Sequence, residues 1–373
     1  MRFSLFLNAR ATAPDQDRFV MQAMLRHALH AEDAGFQAVF TPDHHFTGYA
    51  PWASDPMMFA AWLAPQFKKK TTLGFSVTSV PLHSPVRFAE RVNLLDQLND
   101  GRVLIGVGSG TTPEEMIGFG VTYKDASTIS DRNLDIAEQL WAKQPEDAPI
   151  SFENGPWRGK VVQRIAPAPY SPGHAPLMPV AFKDASVRRA ADHGWPAFIP
   201  AFSPPIINNL EPLTHVTRHF NKYRALLLAA GHDRARLDHA LGWTTHTYQC
   251  VHVAPSADQA RDELETILRA YQEAVNRENA FARKAETDAA NQKADVNLDA
   301  LTDEWIATWC LYGTPEQVIA HLQPYADLGI GNVLCGTTTG PLTEQRLAYA
   351  EQTVRLMGEQ VIPHFAAQKA VAA

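Results

Sequence analysis

The chain has 373 residues, of which 45% are hydrophobic and 20% charged, a composition typical of one large globular domain or two medium ones. Its net charge of −7, without a basic stripe, argues against nucleic acid as a partner. Three scattered cysteines, no apolar run of roughly 18 residues and no signal-peptide pattern at the N-terminus predict a cytoplasmic protein without disulfide bonds or a membrane span.

Strand-like and helix-like segments alternate along the chain. Short apolar segments predict strands at Phe3–Leu7, Ala38–Phe40, Thr72–Val80, Arg102–Val107, Met178–Phe182, Ala197–Pro200, Trp243–Ala254 and Asn332–Cys335. Apolar residues at helical spacing predict helices at Asp15–Ala34, Pro56–Pro65, Val86–Leu98, Ser130–Ala142, Ala185–His193, Ile206–Ala230, Pro315–Leu328 and Thr343–Met357. About eight such units favour an α/β fold of the (β/α)8 TIM-barrel type, and an open doubly wound sheet is the alternative.

Two segments interrupt this alternation. Residues 144–177 contain seven prolines and predict extended strands around Phe152, Trp157 and Val161, whereas residues 256–300 are charged, rich in alanine and predict a solvated helical excursion. We therefore expect a single barrel domain over residues 1–365 with insertions at about 144–177 and 256–300. A frayed tail is expected at residues 366–373.

A cluster of polar residues follows the predicted strand Ala38–Phe40. Asp43, His44 and His45 stand at its carboxyl end, which is the edge where sheets built from strand–helix repeats place their chemistry. A loop with two solvated histidines is the alternative interpretation. Adjacent side chains on an extended segment point apart, so His44 and His45 would chelate a metal poorly and no metal is expected.

A glycine-rich motif, Gly106-Val107-Gly108-Ser109-Gly110, follows another predicted strand. A Rossmann dinucleotide site would require a third small residue after two intervening positions and a strand that ends in an acid about 20 residues later. Here Thr111-Thr112-Pro113 follows the motif, and no strand that ends in an acid is predicted near residue 130. At the end of a barrel strand, glycines can instead let the flat face of a ligand approach the backbone.

A second candidate site is the turn Lys183-Asp184-Ala185-Ser186, between a predicted strand and a predicted helix. Helix N-termini bind phosphate because they offer free N–H groups and a positive dipole end, and Lys183 and Ser186 would add a charge and a donor. The alternative is that Asp184 simply caps the helix.

Together, several segments resemble the bacterial luciferase-like family of flavin-dependent monooxygenases. The matching segments are Ala34–Phe46, Gly74–Pro81, His83–Arg102, Gly313–Val318 and Val361–Phe365, with Asp43 in place of Glu and Asn99 in place of Ser. The resemblance covers most of the chain except residues 255–300. It implies a TIM-type barrel, reduced FMN bound as a dissociable substrate, and a homodimer formed on the side of the helix Phe88–Leu98.

The resemblance also implies roles for residues around the flavin ring. His44 matches a histidine beside the ring, where it would stabilise a flavin hydroperoxide or assist proton transfer, work that suits a near-neutral pKa. Ser76 and Val77 match a pair that abuts the isoalloxazine, where relatives often have a non-proline cis peptide bond.

Residues of the next two strands match the phosphate side of the family's flavin site. Gly108 and Ser109 match the end of the fourth strand, although luciferases have a phosphate-binding arginine at the position of Ser109. Phe182, Lys183 and Ser186 match the phosphate-binding turn, so Lys183 is expected to replace the missing charge.

The resemblance thus implies a two-component monooxygenase in which a separate flavin reductase supplies reduced FMN, and O2 is used to oxygenate an uncharged small organic substrate. Apolar pocket candidates are Phe6, Trp52, Phe202 and Trp243. Two alternatives remain: a deazaflavin-dependent oxidoreductase that transfers hydride, and a non-catalytic flavin-binding relative. Departures from the family pattern at Asp43, Asn99 and Ser109 leave room for the second.

Overall fold

Parallel strands curl into one main sheet in the computed structural model, which describes residues 1–46, 50–199, 211–285, 306 and 309–371. In chain order the strands are β1 (Arg2–Phe6), β2 (Ala9–Arg10), β3 (Ala38–Thr41), β4 (Thr72–Ser79), β5 (Val103–Gly108), β6 (Ile150–Asn154), β7 (Trp157–Val161), β8 (Leu177–Pro179), β9 (Thr245–Tyr248), β10 (Cys250–Val253), β11 (Cys310–Gly313), β12 (Asn332–Gly336) and β13 (Gly340–Pro341). The main sheet has seven strands in the order β8-β5-β4-β3-β1-β12-β9.

A single residue, Phe198, completes the ring of strands. It bridges Val180, just after β8, and Thr245 at the start of β9, both in the parallel sense. Its amide donates to the carbonyl of Pro179 at 3.0 Å, and the amide of Ile199 donates to Thr245 at 2.8 Å. Of the predicted strand Ala197–Pro200, the described residues 197–199 therefore contribute one bridging residue, and Pro200 lies outside the described residues. The prediction of a TIM-type barrel is confirmed.

Helices follow most barrel strands and cover the outside of the sheet. They are α1 (Asp17–Asp33), α2 (Pro56–Leu63), α3 (Pro85–Leu98), α4 (Pro113–Gly118), α5 (Ala126–Ala142), α6 (Asp184–His193), α7 (Pro212–Ala229), α8 (Arg234–Trp243), α9 (Ala257–Ala285), α10 (Pro315–Leu328), α11 (Glu344–Leu356) and α12 (Ile362–Val371). Local signals set their ends: Thr314 and Gln317 form a capping box before α10, and Gly329, at φ 101°, ends it. No described helix is long and apolar enough to cross a bilayer.

Strand pairing after β9 differs from the sequence expectation. The prediction of one strand over Trp243–Ala254 is wrong, because the chain leaves the barrel at Gln249 and β10 pairs with β11 in a separate sheet. The carbonyl of Gln249 accepts from the side chains of Asn8 and Thr339 instead of continuing the ladder. Alternation of residue types reports extended backbone but not which sheet a strand joins.

The two predicted insertions take definite forms. Strands β6 and β7 pair antiparallel as a hairpin within 144–177, as the extended pattern predicts. In the second insertion, α9 covers Ala257–Ala285, and residues 286–300 lie outside the described part of the chain. One face of α9 is buried through Leu264, Ile267 and Leu268, so the expectation of a solvated helix holds only for its outer face. In the expected tail, residues 366–371 belong to α12.

Packing inside the barrel is separate from packing outside it. A cluster of buried side chains from neighbouring barrel strands includes Phe6, Phe40, Leu104 and Phe198. The ring of Phe40 lies across Gly74, where a Cβ would come within 2.4 Å of it. The barrel interior is thus filled by side chains, which leaves the carboxyl-end edge of the strands for a binding site.

Candidate functional site

The predicted site residues come together on four strands that are neighbours in the sheet, in the order β3, β4, β5 and β8. They lie at the carboxyl ends of these strands: His44 after β3, Ser76 and Val77 in β4, Gly108 and Ser109 at the end of β5, and Phe182, Lys183 and Ser186 after β8. Residues up to 142 positions apart in sequence, from His44 to Ser186, therefore share one arc of the barrel edge.

An irregular contact between β4 and β5 shapes the middle of this arc. The peptide bond between Ser76 and Val77 is cis, and the register between the strands shifts between Phe75 and Thr78. A Cβ at Gly106 would lie 1.9 Å from the carbonyl oxygen of Phe75, and one at Gly108 would lie 2.8 Å from a methyl of Val77. Gly106 and Gly108 are thus required because β4 packs against them. The sequence had suggested instead that these glycines let a ligand approach the backbone.

A buried carboxylate holds His44 in place. Nδ1 of His44 lies 3.0 Å from Oε1 of Glu115, whose side chain is 1% exposed, whereas that of His44 is 23% exposed. The same oxygen accepts the backbone N–H of His45 at 2.9 Å. A carboxylate can only accept at neutral pH, so Nδ1 of His44 carries the proton of this bond. Sequence reasoning missed Glu115, because it lies in the short helix α4, 71 residues away.

Asp43 binds the strand β4 to the histidine cluster. Its buried carboxylate accepts the backbone N–H of Ser79 at 2.8 Å and lies 2.8 Å from Nε2 of His83. Nε2 of His45 lies 3.2 Å away on the other oxygen. Burial by itself would raise the pKa of Asp43, but the charges and hydrogen bonds of His83 and His45 outweigh it and hold the pKa well below its usual range. His45 therefore faces Asp43, and His44 faces Glu115.

This depressed pKa predicts an acid-dependent loss of stability. The contribution of Asp43 to the free energy of unfolding is fully present above its unfolded-state pKa of about 4 and decreases as the pH falls toward the folded-state value. Asp43→Asn should lower stability at neutral pH and flatten the pH dependence in acid, because the amide has no charge to lose. Urea unfolding of the wild type and of Asp43→Asn over a series of pH values checks this. The prediction is contradicted if the free energy of unfolding depends on pH in the same way in both proteins.

The predicted phosphate turn has the geometry of an anion site at a helix N-terminus. Lys183 is the N-cap of α6 and makes no side-chain cap, and Asp184 forms an ion pair with Lys222, so the expectation of capping by Asp184 is wrong. Nζ of Lys183 donates to Oγ of Ser127 at 2.7 Å. Because no side chain caps the first turn, its N–H groups remain available to a ligand.

Phe182 presents an aromatic surface beside this turn. Its side chain is 41% exposed, and its ring stacks on that of His219 at 6.0 Å, next to His215 at 6.2 Å. Burial and the neighbouring His219 lower the pKa of His215 to about 4, and burial also lowers the pKa of His219. Both rings are therefore neutral at physiological pH and add no charge beside Lys183.

A cavity of about 490 Å³ has Phe46 and Glu114, which are sequence neighbours of the histidine cluster and of Glu115, in its lining. Its lining residues are Arg10, Ala11, Thr12, Phe46, Glu114, Ala274, Arg277, Glu278, Phe281 and Pro341. None of the predicted pocket residues is among them: Phe6 and Trp52 are buried in the core, Trp243 stacks with Arg2, and Phe202 lies outside the described residues. An apolar residue in a sequence does not reveal whether it faces the core or a cavity, and this lining includes four charged residues.

Comparison with known proteins gives a consistent family. The sequence model described as luciferase-like monooxygenase matches residues 1–332. The alkanal monooxygenase alpha chain of Photorhabdus luminescens is 24% identical over 97% of each chain. Monooxygenase RslO1 of Streptomyces bottropensis superimposes with a TM-score of 0.75 at 22% identity, covering 98% of this chain and 100% of that one.

Two further relatives differ in their cofactors. The oxygenating constituent of 3,6-diketocamphane monooxygenase from Pseudomonas putida, solved in complex with FMN, has a TM-score of 0.70 at 18% identity and covers 97% of this chain and 98% of that one. The F420-dependent glucose-6-phosphate dehydrogenase of Amycolatopsis mediterranei is 21% identical over 85% of this chain and 89% of that protein.

Proposed function

The chain belongs to the luciferase-like monooxygenases, a family of flavin-dependent oxidoreductases, and from this premise we propose that it is an FMN-dependent two-component monooxygenase. A separate flavin reductase supplies reduced FMN, O2 is the oxidant, and the substrate is a small organic molecule. We also propose a cytoplasmic location. The observation that carries the proposal is the arc of His44, Val77, Gly108 and the Lys183 turn on four adjacent strands.

The residues of this arc fit FMN. The uncapped N-terminus of α6, with Lys183 and Ser186, offers backbone donors and a positive charge to the phosphate. The half-buried side chain of Val77, packed over Gly108, offers an apolar surface to the ring between this turn and His44. Bound reduced FMN supplies the electrons with which O2 is activated for transfer of one oxygen atom to the substrate.

The chain's own residues control protons and water at this site. Glu115 fixes the imidazole of His44 through Nδ1, so that the ring can give or take a proton without adding a permanent charge. Asp43 fixes β4 at Ser79 and with it the position of Val77 two residues earlier. Phe46, on its stack with Phe119, lines one side of the cavity, where a ligand bound over its ring would exclude water.

The cofactor assignment predicts that FMN binds more tightly than riboflavin, because the phosphate adds charge-assisted hydrogen bonds at the Lys183 turn. Lys183→Ala should weaken FMN binding and leave riboflavin binding nearly unchanged. Lys160→Ala, in the exposed β7, is the matched control and should change neither. Equilibrium titration of flavin fluorescence measures all six affinities, and equal affinity of the wild type for FMN and riboflavin would contradict the phosphate site.

A deazaflavin-dependent oxidoreductase is the second candidate, and the resemblance to an F420-dependent dehydrogenase favours it. Such an enzyme would transfer hydride to its substrate and would not need O2. Titration of the same protein with F420 separates the candidates: we expect FMN to bind more tightly, and a clear preference for F420 would replace the first proposal with the second.

We also propose that two copies pair through an apolar patch on α2 and α3, which pack against each other. Met58, Trp62, Leu94 and Leu98 form this patch and are 70%, 44%, 49% and 56% exposed. The residues repeat four positions apart on each helix and so lie on one face of it. A closed two-fold dimer would cover the patch on both copies.

The dimer predicts a particle of twice 41.2 kDa in solution. Leu94→Asp should shift this particle toward the monomer, because the dimer would bury an unpaired charge. Leu228→Asp, at an exposed leucine of α7 outside the patch, is the control and should leave the dimer intact. Light scattering at micromolar concentration measures the masses, and a wild-type monomer would contradict the proposal.

A further inference from the structure

We propose that the cavity lined by Phe46, Phe281 and Arg277 binds a substrate with a flat apolar body and one anionic group, so that the two rings contact the body and Arg277 pairs with the anionic group. This inference rests on the proposed function, since it names the substrate class of the same site. It also replaces the expectation of an uncharged substrate, whose candidate pocket residues do not line the cavity.

Two phenylalanines expose their rings to this cavity. Phe46 is 68% exposed and Phe281 is 63% exposed, and Ala11, Ala274 and Pro341 add to the apolar lining. Exposed aromatic rings in one concave site favour a ligand that covers them, because such contacts remove apolar surface from water. A flat ring system meets two phenyl rings with the largest contact area.

The ring of Phe46 is held in position before any ligand binds. It stacks on Phe119 with ring centroids 5.7 Å apart and an angle of 22° between the planes. Gly118 leaves room for it, because a Cβ there would lie 2.5 Å from the ring. A pre-positioned wall lowers the entropy cost of binding.

Among the charged lining residues, Arg277 is the cation available to a ligand. Arg10 is buried, forms an ion pair with Glu278 and lies over the ring of Tyr271 at 5.4 Å. Glu114 also takes part in an interaction of its own. Arg277 is exposed on α9 and has no ion pair or hydrogen bond within the described residues. A guanidinium binds a carboxylate through two parallel hydrogen bonds, which supplies both affinity and orientation.

Two lining residues of the cavity are sequence neighbours of the residues placed in the reaction. Phe46 follows directly on His44 and His45, and Glu114 directly precedes Glu115, which holds the imidazole of His44. We therefore propose that a ligand held by its anionic group at Arg277 extends toward His44. The charge serves to orient the substrate rather than to take part in the chemistry.

Binding of naphthoate and its neutral amide, naphthamide, to the full-length protein tests this proposal. The wild type should bind naphthoate about tenfold more tightly by calorimetry, as expected for one charge-assisted contact. Arg277→Gln should bring the two affinities within about twofold of each other, whereas Arg269→Gln, a variant of the same helix whose arginine pairs with Glu265, should keep the difference. Phe281→Ala should weaken both ligands alike.

Three results would overturn the inference: equal affinities in the wild type, an Arg277→Gln variant that loses both ligands equally, or no binding of either ligand at millimolar concentration. FMN titration of the same preparations separates this from the cofactor proposal. If the protein prefers naphthoate to naphthamide but does not bind FMN, the proposed function is contradicted and the proposed anion-binding site is kept. FMN binding without discrimination would contradict the anionic site alone.

Discussion

Replacing His44 with alanine is expected to lower product formation by about 10²–10⁴-fold, the usual contribution of a positioned proton-transfer group. The fold should survive, because the side chain is partly exposed at the end of a strand, where little core packing depends on it. Reoxidation of reduced FMN should continue, so that the flavin is consumed without product. The measurement is product formed per reduced FMN oxidised, with His30→Ala on α1 as a matched histidine control.

Glu115→Gln tests whether the carboxylate acts through His44. Product yield should fall between those of the wild type and of His44→Ala, because the amide can still contact the imidazole but cannot stabilise its charge. In the double variant, Glu115→Gln should cause no further loss, since the partner is gone. If His44→Ala gives the same product yield as the wild type, His44 has no role in the reaction. If the losses of the two single variants add in the double variant, Glu115 does not act through His44.

Replacing Gly106 with alanine is expected to cause the largest loss of stability. The new Cβ would lie 1.9 Å from the backbone oxygen of Phe75, so β4 and β5 would have to move apart. Overpacking of this kind costs about 1–3 kcal/mol or more, and here the obstacle is backbone that cannot rotate away. The midpoint of urea unfolding should fall, and flavin affinity should fall with it, because Val77 lies on the displaced strand.

Gly159→Ala is the control for this substitution. Its Cβ would meet the ring of Phe152 at 2.9 Å in the β6–β7 hairpin, where a side chain can turn aside. A small change is expected there. An unchanged unfolding midpoint in Gly106→Ala would show that β5 can shift without loss and would remove the glycines from the account of the site.

The sequence predicts the barrel well because its signals are local. Alternation of apolar segments and helical spacing locate β1, β3, β4, β5 and β12 to within about two residues, since each strand is buried on both sides. It fails where tertiary contacts decide the outcome. The chain at Gln249 gives its carbonyl to side chains of Asn8 and Thr339, and neither contact has a local signature.

The candidate site shows the same division. The turn at Lys183 and the residues after β3 stand at strand ends, which periodicity can find. Glu115 and Arg277 lie on helices far away in the chain, and only the fold brings Glu115 to His44 and Arg277 to the cavity lining. The helix α9 reads as solvated because its charges dominate its composition, although one of its faces is buried.

The most direct test of the proposed monooxygenase is the fate of isotopically labelled O2 when the protein, reduced FMN and a panel of aromatic carboxylates react together. The account predicts that one labelled oxygen atom enters the product, that His44→Ala suppresses this label while flavin oxidation continues, and that reduced F420 does not replace FMN. Product formed without O2, or with reduced F420 and no label, would contradict it.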